Sequence, residues 1–155
     1  MNINIDEQYD KIYRYCYFKL KNQHLAEDIT QETFLRFYES SGYKETGRPM
    51  AYLYTIARNL CIDEFRKAPV EELKEEIVQQ GFEDRVVAVL SLQQAMEALT
   101  KEEQELLLLR YVNEVPFADL SKLYGKSRFA LHRELSRIIN KLNYRLTERR
   151  ISDGT

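Results

Sequence analysis

Near the C-terminal end stand Lys126, Ser127, Arg128, Phe129, His132, Arg133, Ser136 and Arg137, a set whose types suit duplex DNA. Arg pairs with guanine O6 and N7 through two parallel bonds, and an apolar side chain meets a thymine methyl. Arg and His near the start of a recognition helix reach base edges, whereas Lys126, Arg128 and Lys141 are better placed for phosphates. A second set, Tyr52, Arg58, Asn59, Asp63, Arg66 and Lys67, interleaves aromatics with cations and amides. That alternation suits single-stranded nucleic acid, where bases stack on rings and cations follow the backbone. The competing reading makes Tyr52, Ile56 and Phe65 core residues and leaves the charges to solvent. A third set, Asp28, Gln31, Glu32 and Leu35, falls within about 100° of one helix face and puts an apolar anchor inside an acidic patch. Such an anchor suits a protein partner with a basic groove; the plainer alternative is an incidental exposed Leu.

No constellation for catalysis accompanies these sets. His24 and His132 lie far apart in the chain, and Cys16 and Cys61 sit in apolar helical patterns without ligand spacing. Catalytic residues, a metal and a cofactor are therefore not expected, and the two cysteines are expected to be buried small hydrophobes.

The elements that must carry the three sets are helices. The 155 residues include only five Gly and three Pro, are 44% hydrophobic, and have long runs of Leu, Glu, Lys, Arg and Gln. The fold class expected is all-α, with two small helical domains. Helical periodicity runs from Asp6 to about Lys21, from Asn22 to about Ser40 and from Pro49 to Lys67, with a Gly-containing loop between the last two. On the second of these the inward arc is Leu25, Ala26, Ile29, Phe34 and Phe37, with Thr33 among them. Residues 1–67 form the first domain, an acidic tether occupies 68–81, and a second domain runs over 82–155. In the second domain Thr100-Lys101-Glu102-Glu103 is a capping box that starts a helix. Pro116 opens a short helix through Tyr124, Gly125 makes a tight turn, and Ser127 caps the last helix, about Ser127 to Leu146. Helix, short turn, helix is a helix-turn-helix layout. On the last helix Leu131, Leu135, Ile138, Ile139, Leu142 and Leu146 form one stripe of roughly 100° for packing, which frees the opposite face for a ligand.

The formal charge of -2 hides a polarity along the chain. Residues 1–67 are neutral and 68–90 carry -4, whereas Lys122 to Arg150 hold nine basic residues against two acidic ones. That local excess is the footprint of a phosphate-binding surface. No apolar run approaches the roughly 18 residues of a membrane span, and the N-terminus lacks a targeting pattern, so a cytoplasmic location without membrane insertion is expected.

Three segments carry a family resemblance. Ala26-Glu27-Asp28-Ile29-Thr30-Gln31-Glu32-Thr33-Phe34-Leu35 resembles the polymerase-clamp-binding helix, A-E-D-x-x-Q-E-x-F, of the extracytoplasmic-function (ECF) sigma factors, small two-domain specificity subunits of bacterial RNA polymerase. Ile56-Ala57-Arg58-Asn59, with Asp63 and Arg66-Lys67, is similar to the family's -10 reader, I-A-R-N-x-x-x-D-x-x-R. Leu107-Leu108-Leu109-Arg110-Tyr111 and the Gly125 helix-turn-helix are similar to its -35 reader. The resemblance implies a sigma factor that binds core RNA polymerase and directs promoter recognition, melting and transcription initiation. It implies that Asp28, Gln31, Glu32 and Leu35 hold the polymerase clamp. Asn59 stands where the family captures a flipped -10 base, the pocket forming in the loop Ser40 to Arg48 with Tyr43, Tyr52, Arg58 and Arg66 as neighbours, and Arg48, Asp63 and Lys67 complete the implied -10 set. Tyr52 replaces the family's usual Trp. Lys126, Ser127, Arg128, Phe129, His132, Arg133, Ser136 and Arg137 fall to the -35 duplex, and an anti-sigma factor is the implied regulatory partner. The alternative is a stand-alone helix-turn-helix regulator on duplex operator DNA, which has no need of the Asp28/Gln31/Glu32/Leu35 face.

Overall fold

The computed structural model describes residues 5–40, 48–67 and 93–153, with side chains as far as Leu146. The expected tether and Tyr43 lie outside the described residues. Among the described residues every regular element is a helix, in agreement with the all-α expectation, and no helix is long and apolar enough to cross a membrane.

Helices α1 (Ile5–Leu20), α2 (Gln23–Glu39) and α3 (Pro49–Lys67) each pack against the other two. A two-residue corner joins α1 to α2. Lys21 takes a left-handed φ of 55° while its amide closes on the Tyr17 carbonyl, and Asn22, extended, accepts the Leu25 amide on its side-chain oxygen at 3.1 Å. That bond satisfies an orphan donor of the first turn of α2. The expected arc of α2 faces inward: Ala26, Ile29, Phe34 and Phe37 are buried. Thr30 and Thr33 join them because each hydroxyl donates to the carbonyl one turn back, Ala26 and Ile29, at 2.6 Å, so neither hydroxyl is buried unpaired. α3 contributes Leu53, Tyr54, Ala57, Leu60 and Cys61, and the Tyr54 ring meets Tyr15 edge to face at 5.6 Å. Cys16 and Cys61 are both buried, as their apolar setting predicts. A hydrogen bond with Cys61 draws the Cys16 thiol below its ordinary value, against the effect of burial. Phe65, a core residue on the competing reading of α3, is instead exposed.

In the C-terminal part residues 93–97 are helical, and the Thr100 capping box starts α4 (Lys101–Leu107). The Thr100 hydroxyl accepts the Glu103 amide at 3.1 Å and the Glu103 carboxylate accepts the Thr100 amide at 2.9 Å. α4 then widens into a π-turn, Leu108–Val112, a feature that periodicity does not announce. The turn ends on the fully buried Asn113, whose amide donates to the Leu108 carbonyl, and on Glu114 in the left-handed region. Helix α5 (Phe117–Tyr124) follows, and its last turn closes when the Gly125 amide donates to the Ser121 carbonyl. Gly125 has φ +65° and open space where a Cβ would stand, so backbone conformation rather than crowding is what calls for glycine. α6 (Arg128–Asp153) starts under a Ser127 cap, with the hydroxyl accepting the Ala130 amide at 3.1 Å, and extends past the Leu146 expected as its end. Leu131, Leu135 and Ile138 are buried, and α6 packs on α4. The described residues form two compact units: α1–α3 with Ala118–Gly125 in one, and residues 93–117 with those from Lys126 onward in the other.

Candidate nucleic-acid interface and docking face

On α2 the inward arc is used up by the core, which leaves Asp28, Gln31 and Leu35 exposed together with a half-buried Glu32. Leu35 keeps 53% of its surface open, and Tyr38, one turn on, keeps 54%. Glu32 is engaged by Arg36, whose Nε donates to the carboxylate at 2.9 Å. An apolar anchor therefore stands among carboxylates and an amide on a rigid helix, as the spacing predicts. Tyr38 extends the apolar part in a way the sequence reading did not include; its position one turn beyond Leu35 was the available signal.

On α3 Tyr52, Asn59, Asp63 and Arg66 fall along one stripe about 60° wide, and Asn59, Asp63, Arg66 and Lys67 are exposed. Tyr52 is half-buried. Its hydroxyl donates to Ser40 Oγ at 2.7 Å and its ring lies 5.9 Å from that of Phe37, so the ring is held at the edge of the core rather than inside it. Arg58 lies off this stripe. Its guanidinium donates to the Leu123 carbonyl at 3.2 Å and lies over the Tyr124 ring at 5.0 Å. Arg48 makes an ion pair with Asp119 at 3.7 Å. Burial pushes the Asp119 carboxyl above its usual range, and the positive charges of Arg48 and Lys122 work against that shift. Two of the expected -10 cations are thus engaged by the short helix α5, which spacing along the chain gave no means of foreseeing.

At the start of α6 and along it Ser127, Arg128, Phe129, His132, Arg133, Ser136 and Arg137 are exposed, and Phe129, at 82%, is the most open large apolar side chain among the described residues. Ser127 spends its hydroxyl on the helix cap. Lys126 differs from the rest: its ammonium pairs with Glu134 at 2.8 Å and Glu102 at 3.8 Å, and the bond to Glu134 raises its pKa above the ordinary value. Lys141, a phosphate candidate, is likewise held, 3.3 Å from Glu103. His132 stacks on Phe117. Among the expected -35 cations Arg128, Arg133 and Arg137 are consequently the exposed ones, and they bear guanidinium groups suited to bidentate pairing. Among the described residues no cluster of His, Cys, Asp and Glu could hold a metal.

Comparison with known proteins adds an independent finding. Residues 5–69 match the family model described as Sigma-70 region 2. The chain is 34% identical over 138 residues to the ECF RNA polymerase sigma factor BldN of Streptomyces coelicolor, aligning 81% of this chain with 52% of that protein. It therefore spans about half the length of BldN. With the ECF RNA polymerase sigma factor SigW of Bacillus subtilis it shares 32% identity over 152 residues, covering 83% of this chain and 81% of SigW. With SigM of the same organism it shares 29% over 137 residues, covering 81% and 84%. Among solved structures it is similar to the sigma factor RpoE of Bartonella quintana, crystallised with the anti-sigma factor NepR. The TM-score is 0.66 at 19% identity, over 92% of this chain and 94% of that one, a likeness of fold.

Proposed function

Because this chain belongs to the ECF RNA polymerase sigma factors, we propose that it acts in the cytoplasm as an alternative sigma factor: it binds core RNA polymerase, recognises and melts promoters, and directs transcription initiation. Residues 1–67 dock the polymerase and read the -10 element, 68–81 act as tether, and 82–155 read the -35 element. The observation that carries this reading is the exposed Leu35 among Asp28, Gln31 and Glu32 on a helix whose other face is already committed to its own core. A stand-alone DNA-binding regulator has no use for such a face. Exposed carboxylates repel duplex phosphates, so the face suits a basic protein groove rather than DNA.

On α3, Asn59 takes the flipped -10 base while Tyr52, its ring held by Phe37 and Ser40, offers a stacking surface; Tyr43, Arg48, Arg58, Asp63, Arg66 and Lys67 complete the neighbourhood. Extruding a base costs a few kcal/mol of unstacking, which a pocket and a stacking ring offset. On α6 the exposed arginines and Phe129 meet the -35 duplex. The chain supplies recognition, the polymerase supplies catalysis, and no cofactor is required of the sigma factor. An anti-sigma factor is the regulatory partner in this reading.

The test is in-vitro transcription with purified core polymerase, with a gel shift of the protein alone as control. We expect promoter-directed transcripts only when both proteins are present, and loss of about tenfold in -35-dependent initiation on Arg137→Ala, since one bidentate arginine contact contributes about 1–3 kcal/mol of discrimination. Tight, specific binding to duplex DNA without polymerase refutes this reading in favour of a stand-alone regulator.

A further inference from the structure

His132 does not project freely from α6. Its imidazole stacks on the Phe117 ring with centroids 4.0 Å apart and planes 23° from parallel. The Phe117 ring also bears the Arg110 guanidinium, whose carbon lies 4.3 Å from the ring centroid. Arg110 is tied down in turn, donating from Nη1 to the Val115 carbonyl at 3.1 Å. The backbone makes this sequence of contacts available. The π-turn Leu108–Val112 leads into the left-handed Glu114, and the Val115 amide donates to the Leu109 carbonyl at 2.9 Å just before Phe117. One residue of the π-turn, the first residue of α5 and one residue of the recognition helix are thus linked through a single aromatic ring.

The consequence lies in the direction of the His132 edge. His132 remains exposed although its ring stacks on Phe117, so part of the imidazole stays accessible. A neutral imidazole offers one donor and one acceptor along its edge, and which base edge it matches depends on the plane in which the ring is held. A free side chain near the start of a recognition helix would choose among rotamers on meeting DNA and lose that freedom on binding. A stacked one has lost it already. We propose that Phe117, backed by Arg110, is a specificity-determining positioning residue that presets the His132 ring for the -35 duplex. The inference rests on the -35 reading given above and adds to it two residues that the exposed DNA face does not contain.

The experiment uses the full chain with core polymerase on a promoter panel carrying every single-base change across the -35 element over a constant -10 element. Phe117→Leu keeps apolar volume but offers no ring to stack on, whereas Phe117→Tyr keeps the ring. We expect Phe117→Leu to reduce discrimination roughly two- to tenfold, the range for one side chain that loses its preorganisation. The loss should fall at the positions that His132→Ala alters, with an unchanged melting temperature, and Phe117→Tyr should restore the profile. Phe117→Leu combined with His132→Ala should be no worse than His132→Ala alone, because the two act through one contact. If Phe117→Leu melts early, Arg110→Gln, which leaves the aromatic pair in place, gives the deciding profile: a shift at the same positions supports the proposal. A uniform loss across all promoters, or additive effects in the double variant, overturns it. If His132→Ala and Arg137→Ala alter -35 preference but Phe117→Leu and Arg110→Gln do not, the positioning role alone falls. If neither of the first two alters it, the -35 reading has failed and the positioning role falls with it.

Discussion

Leu35 gives the docking face a quantitative test. Covering a Leu side chain completely contributes roughly 1.5–3 kcal/mol relative to leaving it in water. Leu35 is 53% exposed in the free chain, so a partner that covers it has about half of that left to gain, roughly 0.8–1.5 kcal/mol. Leu35→Ala should therefore raise the Kd for core polymerase about four- to twelvefold. The same change should leave folding stability within about 0.5 kcal/mol, since the side chain is exposed and Ala is a good helix former. Fluorescence anisotropy of a labelled chain titrated with purified core polymerase measures the first quantity, and thermal denaturation of the free chain the second. Adding Asp28→Ala should weaken binding further and reduce its salt dependence, because an exposed carboxylate acts through a screened field. Unchanged affinity in Leu35→Ala, with an unchanged melting temperature, removes the anchor from the docking account and leaves Leu35 an ordinary exposed apolar residue.

Three further outcomes concern the units that carry these faces. Thr100→Ala leaves the Glu103 amide without its cap and should cost about 1 kcal/mol in urea unfolding. The Thr100 amide, and after it Lys141, hold the Glu103 carboxyl below the usual carboxylate range. Its contribution is present in full above the unfolded pKa, about 4.3, and is lost as pH falls through the lower folded value, so Glu103→Gln should flatten the acid limb of the stability profile; an unaltered limb contradicts the pairing. Asp119 has the opposite sign: burial raises its folded pKa, so its contribution is present at low pH and lost as pH rises through the folded value. Asp119→Asn should raise the melting temperature at neutral pH, with the gain shrinking as pH falls through the raised folded value and gone below the unfolded value of about 4, and a loss at neutral pH would mean that the Arg48 pair outweighs desolvation.

What could be read along the chain was local. The inward arc of α2, the Asn22 start, the Thr100 capping box, the Gly125 turn and the Ser127 cap all depend on residues within about one turn of each other, and each appears where the spacing put it. The exposed Leu35 was legible for the same reason. A helix face not used by the core is defined by the same 100° step that defines the core. The π-turn at Leu108–Val112 was not legible, because a local widening of the helix preserves composition and breaks only the period.

Spacing along the chain was enough for the helices, their caps and the candidate faces they present, because helical geometry converts spacing directly into orientation. Which polar side chains on those faces are engaged followed from packing. Lys126 is taken by Glu134, Lys141 by Glu103 and Arg58 by the Leu123 carbonyl, and His132, though exposed, stacks on Phe117, whereas Arg128, Arg133 and Arg137 stand exposed. Most of those partners stand on other elements. A charge or a ring far along the chain becomes a neighbour only when packing brings it within a few ångströms, and composition and period carry no record of that.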